Sequence, residues 1–357
     1  MLALPVLTAL CQLASPSVLP DSVLRPGGVE VADLNGDGHL DLLVVDSVQT
    51  RVLLALGGPS GELGPLAPLF QLGSPLIGNS LYGVSVSDVD GDVANDVILT
   101  TGSSGEVWIA YGDGEYAQLD PVRVGTATGR VRSVEFADIN GDGLRDLVAA
   151  TYDDFRSCYF LGETGGGFST RRNLVAGDAL EADSIRLIDV DLDGDLDVLA
   201  ADARLTGATD AGSLLLFENT SGFPLRATDV STVMPGGMRM DVQDSDGNGN
   251  PEVVVAAAPN FSASTLHLFQ VASGGLMGPS SIGSTIPRVE HVALEDADGD
   301  GDRDVLVLTS SSSNGEVILA TNGGAGLFTF EGVVTQFGSS FAFDFGDLTG
   351  DGLADLV

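Results

Sequence analysis

The chain has 357 residues but no lysine, two cysteines, three histidines and one tryptophan. Without lysine there is no amine for a Schiff base or a lysine general base. Cys11 and Cys158 are too few for a disulfide-dense scaffold, and Cys158, in the apolar run SCYFL, reads as a buried, inert thiol. His39, His267 and His291 are dispersed, and no GxSxG, HExxH or GxxxxGK[ST] motif is present, so no short segment carries nucleophilic, zinc-hydrolase or phosphate-cradling chemistry. No apolar stretch reaches the roughly 18 residues of a membrane-spanning helix. Basic residues number 15, all arginine, against 51 acidic ones, a formal charge of −36. Nucleic acid and anionic membranes are excluded as expected partners, because both need a basic face.

The acidity is patterned. Short loops with oxygen-bearing side chains at alternate positions begin at Asp33, Asp88, Asp138, Asp189, Asp244, Asp296 and Asp347, at intervals of 55, 50, 51, 55, 52 and 51 residues. The loops hold 26 of the 51 acidic residues, so half the acidity is committed to them. Loop positions 1, 3, 5 and 9 are Asp33, Asn35, Asp37 and Asp41 in the first copy, and Asp88, Asp90, Asp92 and Asp96 in the second. They are Asp138, Asn140, Asp142 and Asp146 in the third, and Asp189, Asp191, Asp193 and Asp197 in the fourth. The fifth has Asp244, Asp246, Asn248 and Glu252, the sixth Asp296, Asp298, Asp300 and Asp304, and the seventh Asp347, Thr349, Asp351 and Asp355.

A hard cation needs this arrangement. Calcium takes six to eight oxygen ligands, which a tight loop supplies from alternate side chains, a backbone carbonyl and a closing carboxylate. The absence of His and Cys from these side-chain positions argues against zinc or copper, and the carboxylate count exceeds what magnesium normally uses. Up to seven Ca2+ ions are therefore expected. Turn formation alone also favours Asp, Asn and Gly, but an acid at position 9 followed by an apolar run in every copy goes beyond a turn. Glycine occupies position 6 in every copy except the second, where Val93 replaces it. The second loop is expected to be distorted or weak, and the fifth and seventh, with Asn248, Glu252 and Thr349, to have lower affinity.

A period near 50 residues signals a stacked array. Each repeat reads as four strands. One leads into the loop (GVEVAD, Gly28 to Asp33) and a second starts at the closing acid (DLLVVD, Asp41 to Asp46). A third follows a polar turn (EVWIAYG, Glu106 to Gly112), and a more polar fourth returns after a glycine-rich turn such as GETGGGF (Gly162 to Phe168). The expected fold is all-β, a seven-bladed β-propeller of four-stranded antiparallel blades with the last blade incomplete, forming one domain over residues 21–357. The end at Val357, inside the second strand of blade seven, suggests a truncated chain. Residues 1–20 read either as a signal peptide, though no basic residue precedes Arg25, or as an N-terminal closing strand drawn from about residues 12–19. Trp108, Phe160, Phe217 and Phe269, on third strands, are expected to pack between blades.

The phrases VADLNGDGHLDLLVV, FADINGDGLRDLVAA and LEDADGDGDRDVLVL resemble the FG-GAP and VCBS repeats of bacterial extracellular proteins, relatives of the calcium-binding blades of integrin α-subunits. The resemblance runs from about residue 28 to the end. It implies side-chain ligands at positions 1, 3, 5 and 9 and a carbonyl ligand at position 7, here His39, Ala94, Leu144, Asp195, Asn250, Asp302 and Leu353. It also implies an extracellular or cell-surface location and a non-enzymatic binding or adhesion role toward a glycan or protein, with structural calcium. The alternative is a polysaccharide lyase, since some calcium-binding propellers of related loop chemistry cleave acidic pectic chains; that reaction needs a base and a cation beside the uronate. The segment Asp153–Arg156, with Phe155 at its centre, is a candidate contact loop because its counterparts are Ser/Gly-rich.

Overall fold

The computed structural model describes residues 26–72, 81–102, 104–127, 129–152, 157–174, 182–202, 213–219, 226–231, 239–257, 263–272, 275–310, 315–324, 326–337 and 344–357. The candidate closing strand, the signal-peptide segment and the contact loop around Phe155 lie outside these residues. The described residues contain strands, turns and bends and no helix.

Six four-stranded antiparallel sheets follow one another, each ordered as its strands occur in the chain. The first consists of Pro26–Ala32, Asp41–Asp46, Arg51–Ala55 and Ala67–Gln71. The second is Leu81–Ser87, Asp96–Thr101, Glu106–Ala110 and Val122–Thr126. The third is Arg130–Ala137, Asp146–Tyr152, Cys158–Phe160 and the two-residue Arg172–Asn173. The fourth is Ala182–Ile188, Asp197–Asp202, Ser213–Glu218 and Arg226–Ser231. The fifth is Arg239–Gln243, Glu252–Ala257, Ala263–Ala272 and Gly275–Pro287, and the sixth Val289–Glu295, Asp304–Ser310, Gly315–Asn322 and Phe328–Phe337. Phe345–Gly346 and Asp355–Leu356 pair as a two-stranded seventh. The glycine-rich turn of the third repeat is itself a small hairpin, Gly162–Glu163 with Gly167–Phe168, a refinement that composition does not reveal.

Register follows from burial. Second strands are buried along their whole length, as in Asp41–Asp46, Asp96–Thr101 and Glu252–Ala257, because neighbouring sheets cover both faces; they need no alternation. Outer strands keep wet positions, as in Ala67–Gln71 and Gly275–Pro287.

The chain gathers into two compact units. One contains the first three sheets and the two-stranded seventh; the other contains the fourth, fifth and sixth, together with residues 139–141. Within the first unit, Leu43, Val45, Leu54 and Leu81 pack with Leu99 and Trp108, joining sheets one and two. Ile98, Ile109, Leu147 and Phe160 join sheets two and three. Val357 lies against Leu42, Val44 and Leu53, and the Val31 N–H donates to Asp344 Oδ2 at 2.8 Å, so the seventh pair of strands abuts sheet one. Within the second unit, Leu199 and Leu214 pack with Val253 and Phe269, and Val254 and Leu268 with Leu294 and Val305. Phe217 and Phe269 are among the largest fully buried side chains. Cys158 is buried. The inner strands of the second unit carry their own charge network. Arg239 Nη1 meets Asp183 Oδ2 at 2.6 Å, Arg186 Nε meets Asp241 Oδ1 at 3.5 Å, and Asp241 Oδ2 accepts the Leu294 N–H at 2.9 Å.

Candidate metal centre

Each acidic loop links an inner strand to the second strand beside it, and its backbone is wrapped around its own side chains. The position-1 carboxylate accepts the position-6 N–H in every copy, for example Gly38 to Asp33 at 2.8 Å, Gly143 to Asp138 at 2.7 Å, Gly301 to Asp296 at 3.1 Å and Gly352 to Asp347 at 2.8 Å. The position-5 side chain accepts the position-7 N–H in all seven, from His39 at 2.9 Å to Asn250 at 2.7 Å and Leu353 at 3.0 Å.

Two left-handed residues make the wrap possible. Position 6 has φ of +85° at Gly38, and position 4 has φ of +73° at Gly36. Position 4 escapes a reading of ligand spacing, yet it is glycine in six copies and Leu192, at φ +64°, in the fourth. Val93 keeps the bend of the second loop at φ +78° and stands 88% exposed, so a β-branched residue is held in a conformation disfavoured by its own Cβ.

Position 9 differs in kind from the others. Asp41, Asp96, Asp146, Asp197, Glu252 and Asp304 are buried at 1% exposure or less. One oxygen accepts the position-2 N–H, as in Leu34 to Asp41 at 2.9 Å, Val89 to Asp96 at 2.7 Å and Ala297 to Asp304 at 2.9 Å. The other accepts an N–H at the end of the third strand or just past it, from Gly57, Gly112, Gly162, Asn219 and Asn322 at 2.7–2.8 Å. The closing acid therefore staples the loop to the sheet. Such charge-assisted bonds contribute about 1.5–3 kcal/mol each. Glu252, one methylene longer, takes both the Ser245 N–H at 2.9 Å and the Ser245 hydroxyl at 2.6 Å on one oxygen. In the seventh loop the staple slips by one residue, with Thr349 N–H donating to Asp355 at 3.0 Å.

The carboxylates also converge. Asp88, Asp90 and Asp96 bring one oxygen each within 4.8 Å of one another, as do Asp189, Asp191 and Asp197, Asp244, Asp246 and Glu252, and Asp296, Asp298 and Asp300. A divalent cation would fit these sets, which are oxygen-only and electrostatically unrelieved. Burial is the main cause that pushes the Asp197 and Asp304 carboxyls up to about 6, and the neighbouring loop carboxylates push the same way. Asp41, Asp96, Glu252 and Asp355 are raised for the same first reason. Among the described residues, the first, third and seventh loops form no such acidic triple; they carry Asn35, Asn140 and Thr349 at position 3.

His267 and His291 lie apart from the loops' ligand sets, whereas His39 occupies position 7 of the first loop. Burial lowers His267, whose Nε2 lies 2.8 Å from the Thr265 hydroxyl, and pushes His291 down to about 4 among Asp241, Arg186 and Arg239.

Residues 33–99, 88–149, 139–200 and 296–357 match the FG-GAP-like repeat. These stretches cover more than half of the chain, and the chain belongs to that repeat family. The fifth loop, with Asn248 and Glu252, falls outside the matched stretches. A comparison with curated protein sequences finds no match. Solved structures with the same fold include an Agrocybe aegerita lectin that recognises non-reducing terminal N-acetylglucosamine (15% identity, TM-score 0.59, covering 88% of this chain and 81% of the lectin). They include the Dos1 propeller (11%, 0.58, 94% and 92%) and BBS1N in its complex with ARL6DN (14%, 0.54, 93% and 92%). The fold is a β-propeller of four-stranded antiparallel blades.

Two outcomes follow from the loop geometry. Val93→Gly should stabilise the chain by about 1 kcal/mol, seen as a higher melting temperature, because it removes a left-handed β-branched residue at an open site; a lower melting temperature would contradict this. In chelator, stability should rise as the pH falls from 7 to 5. Asp197 and Asp304 have folded values near 6 against an ordinary 3.8. The folded state thus binds more protons in that window, and its advantage is complete below the ordinary value and lost above about 6. A melting temperature that falls steadily from pH 7 to 5 would show the opposite linkage.

Proposed function

We propose that this chain is a calcium-stabilised propeller that acts as an extracellular or cell-surface binding module for a glycan or protein ligand. The observation that carries this reading is the convergence of carboxylate oxygens in four loops, at positions 1, 3 and 9 in the second, fourth and fifth and at positions 1, 3 and 5 in the sixth. Positions 1, 3, 5 and 9 would hold each ion, and the ion would supply positive charge that relieves mutual carboxylate repulsion. Asp41, Asp96, Asp197 and Asp304 each hold one N–H of their own loop and one from the end of the third strand or just past it, so they transmit the loop's order to the blade. These ions are structural. The binding role is supported by the lectin and the ARL6DN-bound propeller among the structural neighbours, and by loops held on a rigid frame. No described helix is long and apolar enough to cross a membrane. The strong net acidity favours neutral or basic ligands over polyanions.

Thermal melting in calcium and in EDTA, followed by a glycan array in both, tests this. Calcium should raise the melting temperature by at least about 10 °C, since each ion bound well above its dissociation constant adds a few kcal/mol. Equal melting temperatures would remove the calcium role. Retention of a glycan without cleavage would establish a carbohydrate-binding module. New unsaturated chain ends on acidic polysaccharides would replace the binding reading with a lyase.

A further inference from the structure

Resting on the calcium reading of the loops, we propose that Asn322 is a positioning residue that couples the sixth loop to the fifth, so that filling the sixth raises the affinity of the fifth. Asn322 is the last residue of the third strand of the sixth blade and is buried at 1% exposure. Its backbone N–H donates to Asp304 Oδ1 at 2.7 Å, which is the closing acid of loop six. Its side-chain Nδ2 donates to the Arg303 carbonyl of the same loop at 3.2 Å, and at 2.7 Å to the Ser245 carbonyl, position 2 of loop five. Ser245 in turn donates its N–H and hydroxyl to Glu252, the closing acid of loop five.

The result is one buried polar path, Asp304 to Asn322 to Ser245 to Glu252, with all four residues at 1% exposure or less. In a water-excluded setting each of these bonds is costly to break, so displacement of one closing acid is passed on rather than absorbed by solvent. An ion in loop six fixes Asp304 and thereby Asn322. Loop five then needs less ordering when its own ion binds, which is positive coupling.

The short, side-chain part of this link is built from the sequence at one position, beside a longer backbone bond from the Arg303 N–H to the same Ser245 carbonyl at 3.4 Å. Gly57, Gly112 and Gly162 make the same backbone bond to their closing acids but have no side chain to reach a neighbouring loop. A Cβ at Gly57 would lie 2.1 Å from the Leu40 carbonyl oxygen, so asparagine is excluded there as the backbone stands. Asn219 repeats the Asn322 pattern, with bonds to Asp197, Leu196 and Ile139 at 2.7, 3.2 and 2.7 Å. Asn95 links loop two to the Asp33 carbonyl of loop one at 2.8 Å by a different construction, from loop position 8.

Equilibrium dialysis against graded free calcium tests the coupling in the full chain. The variants are Asp300→Asn, which disables loop six, Asn322→Gly, which keeps the backbone N–H and removes only the amide side chain, and both together. Loop five is read as the difference between each protein and the same protein carrying Asp246→Asn. Asp300→Asn should weaken loop five about fivefold when Asn322 is present, and by less than about twofold in the Asn322→Gly background. Melting in EDTA checks that Asn322→Gly is folded; a merely structural loss would lower that melt without removing the dependence of loop five on loop six. Unchanged loop-five affinity on Asp300→Asn, or an equal drop in both backgrounds, overturns the coupling while leaving the calcium reading intact. A native chain that retains no calcium overturns both.

Discussion

A carboxylate buried at the head of a strand must find hydrogen-bond donors for both oxygens or disrupt the sheet that contains it. In this propeller that demand organises the blades with a resolved closing staple. Asp41, Asp96 and Asp304 each take one N–H from their own loop and one from the end of the third strand or just beyond it. A single side chain thereby fixes the loop's exit, the register of the second strand and the end of the third. The apolar residues that follow, such as Leu42 to Val45, can then be buried on both faces.

The same carboxylates create the electrostatic problem that defines the candidate site. Bringing Asp189, Asp191 and Asp197 within 4.8 Å of one another places like charges in a partly dry setting. Protons relieve this at acidic pH, as the raised value of Asp197 indicates. A divalent cation would relieve it at neutral pH without removing the charges that shape the loop. Stability, metal occupancy and the order of each loop are therefore expected to be linked properties. The Asn322 bridge extends that linkage from a single loop to a neighbouring pair.

Much of this was legible in the sequence because the signals repeat. Strand starts at Asp41, Asp146 and Asp304 follow from the closing acids, and the two-sided burial of the second strands follows from unbroken apolar runs. The placement of Phe269 in buried packing between blades follows from its position on a third strand, and Phe217, on another, is fully buried as well. What spacing does not convey is how one residue divides its bonds. Position 9 reads as a ligand, but its two N–H contacts make it a staple first. Position 4 reads as filler, yet Gly36 and Leu192 adopt the left-handed backbone there. Asn219 and Asn322 lie some 20 residues beyond their closing acids, and only the fold brings their amides to Ile139 and Ser245; the signal that could have found them is asparagine where the earlier repeats have Gly57, Gly112 and Gly162.

The most direct measurement is a crystal structure of the chain grown in calcium, with anomalous scattering used to locate the ions. Density should sit within the loops, bonded to oxygens of positions 1, 3, 5 and 9, and should be strongest where Asp189 and Asp296 begin fully acidic sets with glycine at the bend. Ordered loops that remain empty at millimolar calcium, with the closing acids still stapled to the sheet, would contradict the metal-centred reading and leave the carboxylates as purely structural hydrogen-bond acceptors.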